Sequence, residues 1–84
     1  MNMKYSEYNQ SKGMLIDVEE SNVFKKKHLY EAINIPFEKL IANYKKLLDK
    51  NKTYFIYCRK GQRSKKAVQI LKFYGYNVTQ IVNE

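Results

Sequence analysis

Apolar positions along this chain switch between continuous short runs and a helical stripe, and the switches mark the elements. Met14-Leu15-Ile16-Asp17-Val18 follows Gly13 with a continuous apolar start, which predicts a strand buried on both faces. Glu19 to Lys27 is polar except for Val23 and Phe24, which predicts a loop or one helical turn with those two residues facing inward. Ala32-Ile33-Asn34-Ile35 reads as a second short strand ended by Pro36. From Phe37 to Leu48 the apolar residues stand at 37, 40, 41, 44, 47 and 48, a helical stripe. Thr53-Tyr54-Phe55-Ile56-Tyr57, β-branched and aromatic throughout, is the strongest strand signal, and Cys58 stands at its carboxyl end. Ala67, Val68, Ile70, Leu71 and Tyr74 line one face of a further helix, with Ser64 as its N-cap and Gly75 closing it. Asn77 to Val82 predicts a final strand, and near the amino end Ser6 is placed to cap a short turn over Glu7 to Gln10. Alternating strands and helices predict an α/β fold around a small, mainly parallel sheet flanked by helices. Sites in such sheets lie at the carboxyl ends of strands, where Cys58 stands.

The 84 residues suit one domain, read as 1–84. A single cysteine allows no internal disulfide, so apolar packing must hold the fold, and a 44% hydrophobic fraction rich in tyrosine and phenylalanine supplies it. One free cysteine suits a reducing compartment. No run approaches the roughly 18 consecutive apolar residues of a membrane span, and Met1 to Gln10 lacks the apolar core of a signal peptide. These features lead us to expect a cytoplasmic protein with no membrane partner. The formal charge of +8 would suit a nucleic-acid or anionic-membrane partner. The lysines are spread along the chain, however, and no RNA-binding motif accompanies them, so a lysine-rich composition is the preferred explanation. A positive field also attracts a small anionic substrate.

The candidate chemistry is concentrated in Cys58-Arg59-Lys60-Gly61-Gln62-Arg63-Ser64. A strand ends, a short loop curls and a helix begins, so successive N–H groups can converge into an anion-binding nest. The helix N-terminus adds partial positive charge, and Arg59, Lys60 and Arg63 add full charges. Gly61 permits the backbone conformation such a loop needs. All of this favours the thiolate, the nucleophilic form of cysteine, and would equally stabilise a persulfide anion. Buried cysteines are commonly inert, but three cations within five residues of a strand-to-helix turn argue for a reactive one. His28 stands outside any metal-ligand spacing and reads as a turn residue bonding backbone. Asp17 reads as a loop-fixing hydrogen-bond acceptor.

Leu15-Ile16-Asp17-Val18, His28, Ala32 to Pro36, Tyr57 to Ser64, then Ala67, Leu71, Gly75-Tyr76 and Val78 together resemble a rhodanese homology domain. The resemblance implies that Cys58 is the catalytic cysteine, accepting sulfane sulfur from a small anionic donor and passing it to cyanide or to a thiol or protein acceptor. It implies that Arg59, Lys60, Gly61, Gln62, Arg63 and Ser64 form the loop that binds substrate and persulfide, and that no cofactor or metal takes part. The basic residues after the cysteine favour thiosulfate over mercaptopyruvate. Three departures stand out. The family's Asp-x-Arg is here Asp17-Val18-Glu19, so an ionic network near the site must be rebuilt around a reversed charge, with one of the lysines as the expected partner. Its Gly-His-Ile-Pro-Gly-Ala is Lys27-His28-Leu29-Tyr30-Glu31-Ala32, a turn without the usual glycines and proline. The family's final tryptophan-bearing helix has no counterpart after Asn83-Glu84, so that helix is expected to be shortened or absent. A non-catalytic rhodanese-like binding or regulatory module is the alternative, though such modules often lack the cysteine. A cysteine phosphatase or arsenate reductase of related fold is disfavoured, because four residues rather than five separate Cys58 from Arg63.

Overall fold

A computed structural model describes residues 2–82. It contains five strands, β1 (Asn2–Lys4), β2 (Met14–Asp17), β3 (Ile33–Asn34), β4 (Thr53–Tyr57) and β5 (Asn77–Val82). Three α-helices accompany them, α1 (Ser21–Lys26), α2 (Phe37–Leu47) and α3 (Gln62–Phe73). The strands form one parallel sheet in the order β1-β5-β4-β2-β3. The α/β class and the elements expected over residues 14–82 are therefore present.

A parallel sheet needs cover on both faces, and side-chain alternation divides this core in two. Ile16, Ile56 and Val78 face α2 and α3, where Leu40, Ala67, Val68 and Leu71 close the larger cluster. Leu15, Phe55, Tyr57 and Ile81 face the other way, against Met3, Tyr5, Tyr8, Leu29 and Ala32. The amino-terminal segment that covers this second face differs from the expectation. Asn2–Lys4 is an edge strand paired to β5, with Met3 opposite Ile81, and 3₁₀ turns follow at Tyr5–Glu7 and Gln10–Lys12. Ser6 lies inside the first turn rather than capping a later one. Along the helical stripe of α2 Leu40 is buried and Phe37, Ile41 and Tyr44 are half-buried against the core, whereas Leu47 is 38% exposed. In the turn that lacks the usual glycines, Glu31 takes a positive φ of 70°, a left-handed conformation costing a non-glycine residue about 1–2 kcal/mol.

The sheet order also fixes where a site can form. From β2 the chain crosses outward to β3, then returns over β2 to β4 and continues to β5. The direction therefore reverses between β2 and β4, which opens a crevice beyond their carboxyl ends. Asp17 pairs with Tyr57 in register, and the Val18 amide donates to the Tyr57 carbonyl at 2.9 Å. The chain thus leaves β2 through Val18 and Glu19 alongside Cys58 and Arg59 leaving β4.

Candidate functional site

Cys58 follows β4 directly and is 3% exposed, beneath the loop that leads into α3. That loop turns at Gly61, whose φ of 83° needs the freedom of glycine. Gly61 is also the N-cap of α3, which begins at Gln62. The cap expected at Ser64 is therefore displaced by three residues, and Ser64 is a buried residue in the first helical turn. Its amide, one of those without an intrahelical acceptor, donates to Cys58 Sγ at 3.1 Å. The thiol in turn donates to Ser64 Oγ at 3.4 Å.

Ser64 Oγ is itself held. It donates to the Gly61 carbonyl at 3.3 Å and accepts from Gln80 Nε2 at 2.9 Å. Gln80 Nε2 also donates to the Gly61 carbonyl at 3.0 Å. One buried amide on β5 therefore ties the N-cap of α3 to its third residue, the residue that meets the sulfur. Gln80 was not among the candidate site residues. Its signal was a polar residue on the same strand face as Val78, a position that faces the core.

A cleft of about 530 Å³ opens over Cys58, walled by Arg59, Lys60, Gln62 and Arg63 on one side and by Glu19 and Val23 on the other. Glu19 spans it. One carboxylate oxygen accepts from the Arg59 amide at 2.8 Å, and the other pairs with Arg63 Nη1 at 3.1 Å. Glu20 approaches Arg63 Nη2 at 3.6 Å. The reversed charge at Glu19 is thus met by Arg63, not by one of the lysines. The Arg59 amide, expected to line the nest, serves Glu19, and among the described residues Ser64 supplies the loop amide that reaches the sulfur.

The chain around Glu19 is fixed from β2 and β3. Asp17 accepts the Glu19 amide at 2.8 Å, and Asn34 Nδ2 donates to the carbonyls of Asp17 and Glu19 at 3.0 and 2.9 Å. Asp17 therefore plays the loop-fixing role expected of it. Burial pushes its carboxyl above the usual value of 3.8, the Glu19 amide bond opposes this, the Glu19 charge adds to it and His28 opposes it. A carboxyl whose native pKa is raised stabilises the fold fully below its ordinary value and loses that contribution as pH climbs through the native one. Asp17→Asn keeps the acceptor oxygen and removes this loss. Its stability relative to the wild type is expected to rise between pH 3 and pH 7 in denaturant titrations; a fall over that range contradicts the assignment.

His28 lies on the far side of Arg59, in a second hollow shared with Lys27, Leu29 and Tyr57. Its Nδ1 lies 2.7 Å from the Phe24 carbonyl and its ring stacks on Phe24, the structural role read from the sequence. Among the described residues, no helix is long and apolar enough to cross a membrane.

The sheet and its helices superpose on those of solved rhodanese-like structures, which places the fold in the class of the rhodanese-like domain. The family model of that name matches residues 4–83, and the chain belongs to this family. The chain is 38% identical over 72 residues to the uncharacterized protein YqhL of Bacillus subtilis (strain 168), covering 86% of this chain and 55% of that protein. It is 36% identical over 62 residues to the thiosulfate sulfurtransferase PspE of Escherichia coli (strain K12), covering 73% of this chain and 60% of that protein. The chain thus spans little more than half the length of these relatives. Among solved structures, a rhodanese with anions from E. coli superposes with a TM-score of 0.69 at 31% identity, over 82% of each chain.

Proposed function

We propose that this chain is a sulfurtransferase that carries sulfane sulfur as a persulfide on Cys58. The observation that carries this reading is the Ser64 amide aimed at Cys58 Sγ from the open end of α3 at 3.1 Å. An amide donor at a helix N-terminus favours an anionic sulfur, whether thiolate or persulfide. In the first step the Cys58 thiolate attacks the outer sulfur of thiosulfate. A bond forms between the two sulfurs, the bond to the sulfonate sulfur breaks, and its electron pair leaves with sulfite. In the second step a thiol or cyanide takes the terminal sulfur and the Cys58 thiolate returns. Arg59 and Lys60 attract the anionic donor at the mouth, Gly61 gives the loop its turn, and Gln62, Arg63 and Ser64 form the helix end above the sulfur. Reduced Cys58 suits a reducing compartment, which is the basis for a cytoplasmic assignment. The phosphatase reading gains no support, because Arg63, one residue short of the spacing such an enzyme needs, is turned to Glu19 and Glu20.

The test is the pattern of sulfite release. Without an acceptor, thiosulfate should yield about one sulfite per protein and stop, and added cyanide or thiol should make release continuous, as a covalent two-step mechanism requires. Sulfite release that depends on acceptor from the first turnover contradicts it. Gln80→Leu removes the amide behind the loop while keeping its bulk. We expect a loss of about 1–3 kcal/mol in stability from the two hydrogen bonds that Gln80 Nε2 makes to the Gly61 carbonyl and Ser64 Oγ. Sulfur transfer should fall about tenfold, because the residue whose amide meets the sulfur loses its support from β5. Unchanged transfer in this variant would remove Gln80 from the account.

A further inference from the structure

Glu19 is an unusual neighbour for a cysteine that takes sulfur from an anion. Its side chain is only 12% exposed, against 46% for Arg63 and 66% for Glu20, so it is held in the wall of the cleft. Both carboxylate oxygens are committed to groups an incoming anion would otherwise meet, the amide next to Cys58 and the guanidinium at the start of α3. Resting on the sulfur-transfer reading, we infer that Glu19 sets donor selectivity, disfavouring a dianionic donor such as thiosulfate and favouring a persulfide donor of lower charge.

Arg63 is already neutralised by Glu19 and approached by Glu20, so a sulfonate entering beside it must displace a carboxylate or lie against one. A small alkyl persulfide carries at most one charge and presents its outer sulfur without a sulfonate. The transfer balances. The Cys58 thiolate attacks that outer sulfur, the donor's sulfur–sulfur bond breaks, and the electron pair leaves on the donor's thiolate. Any proton on the transferred sulfur stays with it. Glu19 touches neither sulfur in this step and acts through Arg63, the Arg59 amide and the field in the cleft.

The experiment compares the rates at which thiosulfate and the persulfide of 2-mercaptoethanol add one sulfur to Cys58, in wild type and in Glu19→Gln. The variant keeps an oxygen that can accept the Arg59 amide and loses the charge. One charge removed at this range should raise the thiosulfate rate about tenfold relative to the persulfide rate. The shift should shrink at about 0.5 M salt, where the field is screened over a few ångströms. Glu20→Gln, which leaves both Glu19 bonds in place, should shift the ratio the same way by about twofold to threefold. Equal slowing of both donors in Glu19→Gln, or an unchanged ratio, would overturn the inference and leave sulfur transfer standing. Wild-type protein that takes sulfur from neither donor while folded and reduced would overturn the sulfur-transfer reading, and this inference with it.

Discussion

Cys58→Ala should abolish sulfur transfer, at least about a thousandfold below the wild-type rate, while the domain remains folded. The size of the effect follows from covalent catalysis, since without the sulfur nucleophile the two-step route is gone. Survival of the fold follows from what the side chain touches. Its sulfur packs within the larger core cluster and is hydrogen-bonded to Ser64 through that residue's amide and hydroxyl. Ser64 Oγ keeps its bonds to Gly61 and Gln80 when the thiol is removed. The remaining cost is a small cavity, about 1 kcal/mol. Cys58→Ser should be as inactive as the alanine variant. Both are checked by sulfite release and thermal melting, and transfer within tenfold of wild type in either variant would contradict the covalent route.

The largest stability effect is expected at Gly13, which precedes β2. Its φ of 153° lies where residues with side chains are rare, and an added Cβ would stand 2.4 Å from the Thr53 carbonyl oxygen and 3.0 Å from the Phe55 ring. Neither neighbour yields readily. Thr53 begins β4, whose ladder with β2 runs from Met14 opposite Tyr54, and Phe55 is in the second core cluster. Gly13→Ala must therefore part the two central strands at their start. Overpacking and backbone strain each cost about 1–3 kcal/mol, so we expect a loss of about 3 kcal/mol. For a domain of this size that lowers the melting temperature by about 12–24 °C. A melting point within about 5 °C of wild type would show that the β2–β4 junction is looser than described.

Much of the fold was legible because its central elements bury unbroken apolar surface. Thr53 to Tyr57 declares itself by residue type, and α3 by the spacing of Ala67, Val68 and Leu71. The edge strand Asn2–Lys4 was not legible, since it buries little itself and is recruited by pairing with β5. Cys58 and its loop could be found from local residues, because strand end, cations and glycine are neighbours in the chain. Ser64 departs from the cap its sequence predicts because serine's capping preference is local, whereas its hydroxyl is claimed by Gly61 and by Gln80 from a distant strand. Glu19 stands out in the sequence as a reversed charge, but its partner is not a neighbour along the chain. Arg63 meets it only because β2 and β4 are adjacent and their following residues emerge together.

The central claim, a persulfide on Cys58, is tested most directly by intact-protein mass spectrometry after incubation with thiosulfate and then with excess thiol. The account predicts one added sulfur, located at Cys58 by peptide mapping, absent from Cys58→Ala, and removed by the thiol. Folded, reduced protein that gains no sulfur from thiosulfate or any other sulfane donor would contradict it.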